Sequence, residues 1–228
     1  YIFQDSKGFI WMGTINGLSR YDGNIFMNFL PGNDSIGNKI SLSTNHIRRI
    51  SEDRNKFLWI ETSGEFFNCY DLKRDCFVDF TGCNEYRQNY DRRIEASNGD
   101  IWLWNSKNGC RKVIYKDNTF TSVVFKKSEG NLPSDSVAYV YQDPQGKIWV
   151  GTNRGVAYIT GNKSIIADHR NAFAAQAFGN SVFFLSTDGV ITQKEGNMPS
   201  KLINRLPAAK DGIVISGILC LQDEWVIF

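Results

Sequence analysis

Asp143-Pro144-Gln145-Gly146-Lys147-Ile148-Trp149-Val150-Gly151-Thr152-Asn153-Arg154-Gly155-Val156 decides the fold, because the chain contains a near copy of it. The other copy is Asp5-Ser6-Lys7-Gly8-Phe9-Ile10-Trp11-Met12-Gly13-Thr14-Ile15-Asn16-Gly17-Leu18. Each reads as an Asp/Gly turn, a short apolar strand carrying a tryptophan, a further turn and the start of another strand. The likeness continues upstream, with Tyr1-Ile2-Phe3-Gln4 against Tyr139-Val140-Tyr141-Gln142. A supersecondary unit has been repeated, and such a repeat sets the architecture.

Weaker copies fill the rest of the chain. One runs from Ile47 through Phe57-Leu58-Trp59-Ile60 to Gly64, and another from Arg93 through Ile101-Trp102-Leu103-Trp104. A third places Phe183 where the tryptophan belongs, and a last one, Ile218 to Phe228, carries Trp225. The anchors Trp11, Trp59, Trp102, Trp149, Phe183 and Trp225 lie about 43 residues apart on average, the period of propeller blades. Each full unit holds two more short strands, joined at pairs such as Asp22-Gly23, Leu72-Lys73, Asp117-Asn118 and Gly161-Asn162. Asp-Gly and Gly-Asn pairs favour hairpins because they accept φ > 0. Helical periodicity is almost absent. The expected fold is therefore all-β, a β-propeller of four-stranded antiparallel blades. A β-sandwich would also hold tryptophan-rich strands, but it has no reason to repeat its sequence. Approximate blades are 1–43, 44–90, 91–134, 135–168, 169–214 and a partial 215–228. Polar connections at 31–45, 126–136 and 197–210 carry the chain from one blade to the next. Both ends supply an innermost strand and a tryptophan strand, so the expectation is an incomplete propeller segment, an open arc prone to self-association.

Composition narrows the function. The net charge of +2 is interspersed, with no basic stripe for nucleic acid. No apolar run approaches the roughly 20 residues that span a bilayer. Aromatic residues make up 14% of the chain, which suits cross-strand packing in sheets. The five cysteines form no CxxC pair, and with only His46 and His169 to join them no metal site is expected. Cys69 and Cys76 lie symmetrically about Leu72-Lys73, so an even hairpin would set them opposite one another and permit a disulfide; two free buried thiols are the alternative.

The pattern Asp5-x-x-Gly8-x-Ile10-Trp11-x-Gly13-Thr14-x-x-Gly17-Leu18-x-Arg20-Tyr21-Asp22 resembles the two-component regulator propeller repeat, and 143–156 matches it equally well. The other units match in outline. The resemblance implies the periplasmic sensor region of a hybrid two-component histidine kinase and response regulator. Membrane helix, kinase, receiver and DNA-binding domains would lie elsewhere in the parent protein. It further implies a small-molecule or oligosaccharide signal, a glycan fragment among the candidates, and contacts with neighbouring sensor domains of the same chain or with a second copy. The repeat is scaffold and names no catalytic residue. A protein-interaction propeller is the alternative function, and a propeller lyase or glycosidase a second one.

No catalytic grouping or cofactor motif stands out. Sialidase-like Asp-boxes have Asp-x-Gly spacing, one residue shorter than Asp5-x-x-Gly8, so Asp5, Asp53 and Asp143 read as residues that shape their turns. His46 and His169 read as ordinary loop residues, and Met12, Met27 and Met198 form no stripe. Turns after each tryptophan strand carry Asn16, Ser63, Lys107, Arg154 and Asp188, varied polar residues on a repeating frame, as a recognition surface would have. Two residues past the tryptophan, Gly13 and Gly151 permit close backbone approach. The corresponding residues in the second and third units are Glu61 and Trp104. A carboxylate beside an indole suits a sugar, and two drifted packing positions are the alternative, with Glu61 paired to an arginine.

Overall fold

Every repeated unit becomes one sheet. The computed structural model describes residues 1–32, 41–64, 66–80, 90–168, 172–178, 181–186, 188–195, 201–205, 218–221 and 224–227. Cys83, His169, Met198 and much of the 31–45 and 197–210 connections lie outside the described residues. The first sheet runs β1 (Ile2–Gln4), β2 (Ile10–Thr14), β3 (Gly17–Tyr21), β4 (Phe26–Phe29), and the second β5 (Ile47–Glu52), β6 (Phe57–Thr62), β7 (Phe66–Asp71), β8 (Cys76–Val78). The third holds β9 (Arg92–Glu95), β10 (Ile101–Trp104), β11 (Cys110–Lys116) and β12 (Thr119–Phe125). The fourth holds β13 (Val137–Gln142), β14 (Ile148–Thr152), β15 (Gly155–Thr160) and β16 (Lys163–Asp168). The fifth holds β17 (Ala172–Phe178), β18 (Ser181–Ser186), β19 (Val190–Glu195) and β20 (Lys201–Arg205), and β21 (Ile218–Leu221) pairs with β22 (Glu224–Ile227). Strands follow sequence order within each sheet, the up-and-down pattern of a propeller blade. The chain is all-β, as its repeats predict; a single 3₁₀ turn, Lys127–Glu129, is the one helical element described.

Contacts divide the chain into two compact units, residues 1–103 with 112–122 and residues 104–111 with 123–228. In the first, Trp11, Leu18, Ile47, Ile50 and Leu58 share one core cluster, and Trp59, Phe57, Leu103 and Val113 another. In the second, Trp149, Val156, Val182 and Phe184 pack together.

A side-chain clasp accounts for the repeated spacing. Trp11 Nε1 donates to Asp5 Oδ2 at 2.7 Å, Trp59 Nε1 to Asp53 Oδ2 at 2.8 Å, and Trp149 Nε1 to Asp143 Oδ2 at 2.8 Å. The other carboxylate oxygen closes the turn: Asp5 Oδ1 accepts the N–H groups of Lys7 and Phe9, and Asp53 Oδ1 those of Asn55 and Phe57. Each aspartate thus ties its own turn to an indole six residues later. All three indoles are buried and so need a partner for their N–H. In the second sheet Lys56 takes the left-handed position, φ 73°, that Gly8 and Gly146 take elsewhere. The turn closes there too, with Lys56 N–H donating to Asp53 O at 3.1 Å.

Gly13 permits the approach expected of it. A Cβ there would lie 2.5 Å from Ile47 Cγ2 and 2.8 Å from Ile47 Cβ, atoms of the first strand of the following sheet. The hairpin carrying the cysteines departs from expectation. Asp71 Oδ1 accepts the N–H groups of Lys73 and Arg74, and Asp75 is left-handed at φ 58°. The loop is therefore four residues, 72–75, so Cys76 faces Asp71 and Cys69 faces Val78. The two cysteines are not opposed, and no disulfide joins them.

Two stability outcomes follow from this packing. Asp5→Asn keeps the shape but turns an amide donor toward the Trp11 N–H, and should cost about 1–3 kcal/mol in urea unfolding. Gly13→Ala should cost a similar ~1–3 kcal/mol through overpacking against Ile47. Parental stability in both variants would contradict the clasp and the close approach respectively.

Candidate ligand site

The turns after the tryptophan strands are braced from within. Thr14 Oγ1 donates to Gly17 O at 3.0 Å, Thr62 Oγ1 to Phe66 O at 3.3 Å, and Thr152 Oγ1 to Gly155 O at 2.8 Å. Ser186 makes the same bond to Val190 O at 3.0 Å. In the third sheet Asn105 Oδ1 accepts the N–H groups of Lys107 and Asn108. Asn16, Lys107, Arg154 and Asp188 are exposed on these turns and Ser63 is half-buried. Asp188 Oδ2 lies 3.7 Å from Arg205 Nη2, and Ser63 N–H donates to His46 O. Among the described residues no hydrogen bond or ion pair joins any two of these five. The recurrent threonine three residues past the tryptophan was the sequence signal for a braced turn.

Glu61 sits half-buried in β6, directly opposite Arg49 of β5. Burial raises its carboxyl above the usual range, while Arg49, Arg93 and Arg48 pull it back. Among the described residues no ion pair within 4 Å closes on it, so the arginine partner expected as the alternative acts only at longer range. Arg93 is held elsewhere: Nη2 donates to Ser51 Oγ at 2.7 Å and the guanidinium lies 5.4 Å from the Trp59 ring centroid. Trp104 belongs to the other compact unit and is only 6% exposed. It offers no open face to a ligand, which removes it as a sugar platform. Its place at the end of an entirely buried strand, β10, is the reason.

The second unit instead contains a cavity of about 320 Å³ at the β13–β14 turn. Asp143, Gln145, Lys147, Trp149, Val182, Lys194 and Glu195 line it. The repeat explains why it exists. Between the first and second sheets, Tyr70 stacks edge-on against Trp11 at 5.1 Å, with Arg20 5.5 Å above the same indole. Arg20 pairs with Asp75, which accepts the Tyr70 hydroxyl at 2.9 Å, so that interface is filled. Tyr70 stands opposite Leu58 in its sheet, and Lys194 stands opposite Val182 in the same register. A slender lysine stem thus replaces a ring beside Trp149. Arg20 stands opposite Trp11, and the residue opposite Trp149 is Tyr158. The cation is supplied instead by Lys147, whose Nζ lies 5.4 Å from the Trp149 ring and 4.6 Å from that of Tyr158. Sequence reasoning did not single out Gln145, Lys147 or Lys194; aligning the third strands of successive repeats would have exposed the Tyr70-to-Lys194 change.

Residues 131–154 match the family model described as two component regulator propeller. That stretch is similar to one repeat of this family. Among curated proteins no significant match is found. Two extracellular domains of hybrid two component systems from B. thetaiotaomicron, 17% and 20% identical, align over 96% of this chain and 36% and 37% of theirs, at TM-score 0.45. The chain thus spans about a third of those domains. PorZ, a surface component of the Porphyromonas gingivalis type-IX secretion system, is 13% identical over 87% of this chain and 32% of its own, at TM-score 0.55. Virginiamycin B lyase from Staphylococcus aureus is 13% identical over 95% of this chain and 72% of its own, at TM-score 0.53. The last two likenesses show the fold. Among the described residues no cluster of three or more His, Cys, Asp or Glu could hold a metal ion, and no helix is long and apolar enough to cross a membrane.

Glu61 titration is testable. Its folded-state carboxyl is raised, so the ionised form destabilises the fold, and stability declines as pH rises from the unfolded to the folded value. Glu61→Gln should therefore match or exceed the parent at pH 7, the gain disappearing near pH 4. Lower stability at pH 7 in chemical denaturation would show an ion pair with Arg49 or Arg93 instead.

Proposed function

We propose that this chain is the ligand-sensing part of an extracytoplasmic propeller in a hybrid two-component regulator, and that the Trp149 cavity is where it meets its signal. One observation carries the reading. The repeat matched to the two component regulator propeller family contains Asp143, Gln145, Lys147 and Trp149, and the cavity opens onto all four. The signal is a small molecule or a short oligosaccharide, a glycan fragment included. Binding would bias the packing of the fourth sheet against the fifth, and the parent's kinase would read that change. Neighbouring sensor domains or a second copy would transmit it.

The chemistry of the cavity favours binding over catalysis. Hydrolysis of a glycoside needs two available carboxyl groups flanking the bond. Asp143 has Oδ2 engaged by the Trp149 indole and Oδ1 by the Lys147 N–H at 2.8 Å, leaving Glu195 as the available carboxylate of the lining. The segment acts as a receptor and turns over nothing.

Lys194→Tyr tests the role, because it restores at Trp149 the ring that Tyr70 supplies at Trp11 and so fills the cavity. In the full-length regulator the variant should fold, melt at or above the parental temperature and lose inducible transcription. An undiminished response from a folded Lys194→Tyr protein would contradict a sensing role for this site.

A further inference from the structure

We infer that the uncovered face of the first sheet is a docking surface, and that its occupant is a further unit of the same repeat, carried by the parent protein ahead of β1. The register of the strands defines the face. Ile2 stands opposite Met12, Gln4 opposite Ile10, Ile10 opposite Tyr21, and Tyr21 opposite Phe26. Strand alternation puts these side chains on the side of the sheet away from Trp11. Ile2 is 74% exposed and Phe26 60%, while Ile10, Met12 and Tyr21 are half-buried. The second sheet carries similar residues in the same register, with Ile50 opposite Ile60, Glu52 opposite Leu58, Leu58 opposite Tyr70, and Tyr70 opposite Phe77. There all five apolar residues are buried and share one core with Trp11.

What covers the second sheet indicates what covers the first. Tyr70 packs edge-on against Trp11 at 5.1 Å, and Phe77 against Phe29 at 5.7 Å. A backbone donor locks the same interface: the N–H of Ser6, one residue past Asp5, donates to Glu52 Oε2 at 2.7 Å. The lock recurs between the second and third sheets, where the N–H of Arg54, one residue past Asp53, donates to Glu95 Oε1 at 3.3 Å. Gln4 holds the place of that acceptor in the first sheet. Its Nε2 donates to Gly8 O, and among the described residues nothing donates to its Oε1. The face thus offers an aliphatic, a tyrosine and a phenylalanine as a bed for an indole, and an acceptor for the turn N–H that accompanies the indole. A contiguous apolar patch of this kind marks an interaction surface, unlike single exposed side chains. In a second copy of this chain Trp11, Trp59 and Trp149 are already buried, so it brings none of those indoles. At both of the locked interfaces the covering sheet comes earlier in the chain than the covered one, which puts the occupant ahead of β1.

Thiol labelling at position 26 tests whether the face is covered. In the 228-residue chain a Phe26→Cys thiol should react with a maleimide as an exposed thiol does, and in the full-length parent at least about ten-fold more slowly under native conditions. A tandem chain identifies the occupant. Residues 1–48 placed ahead of Tyr1 bring Tyr1 to the position that Arg49 holds in the repeat. Phe26→Ala in the original unit should leave the melting temperature of the 228-residue chain unchanged, yet lower that of the tandem by more than about 4 °C, as loss of a buried ring requires. Phe77→Ala, at the equivalent position of the covered sheet, should lower it in both chains. Equal labelling in chain and parent overturns the docking surface. A silent Phe26→Ala in the tandem, or an added unit whose indole N–H stays unprotected, overturns the repeat unit as occupant. So does a dimer of the 228-residue chain that Phe26→Lys dissociates, because a second copy then covers the face.

Discussion

The hydrogen bond from a tryptophan indole to an aspartate six residues earlier is the constraint on which this chain is built. It recurs as Trp11 to Asp5, Trp59 to Asp53 and Trp149 to Asp143, each at 2.7–2.8 Å and each with a fully or almost fully buried indole. Burying an indole removes apolar surface from water but strands a donor, and burying an aspartate strands a charge. Joining the two solves both problems and fixes the turn between the first and second strands of the sheet. For Asp53 the balance is visible: burial pushes its carboxyl up, and the Trp59 and backbone hydrogen bonds hold it back.

With the frame so fixed, variation is confined to what surrounds the indole. The face of Trp11 is covered by Tyr70, Phe29 and Arg20, with Asp75 closing the group. The hydrogen bond from Arg20 lowers the Asp75 carboxyl, so this arrangement stabilises the fold above the ordinary aspartate range and loses its effect as pH falls through the lowered value. At Trp59, Phe67 and Phe80 stand around the ring and Arg93 lies over it. At Trp149, Phe184 and Tyr158 pack, Lys147 lies over the Trp149 and Tyr158 rings, and space remains because Lys194 replaces an aromatic ring. One frame thus gives closed interfaces and an open one, and the open one is where a ligand has room.

The repeat made the fold class and the strand order legible, since the Asp-x-x-Gly turn, the tryptophan strand and the Gly-rich hairpins each announce themselves locally. Asp5, Asp53 and Asp143 were readable as turn-formers, yet only half of their role was, because the second carboxylate oxygen answers a residue six positions away. Local symmetry misled at Cys69 and Cys76: the side chain of Asp71 enlarges the loop by bonding two backbone N–H groups and shifts the register by two residues. The variability of the polar residues on the later turns was visible in the sequence, whereas the bracing of three of those turns by Thr14, Thr62 and Thr152 was not. Trp104 was open to two readings, a platform and a packing residue, because burial is decided by neighbours that strand periodicity does not reveal; the structure gives the second. The cavity was hidden for a related reason. It arises from a ring missing at position 194, facing a tryptophan 45 residues earlier in another sheet.

Hydrogen exchange at the indole N–H groups, followed by NMR, tests the clasp most directly. The Trp11, Trp59 and Trp149 N–H signals should be strongly protected. In Asp143→Asn the Trp149 signal alone should exchange at least about ten-fold faster, as loss of one buried hydrogen bond of roughly 1–3 kcal/mol requires. Unprotected indoles in the parent chain, or an Asp143→Asn variant in which Trp149 stays as protected as before, would contradict the account.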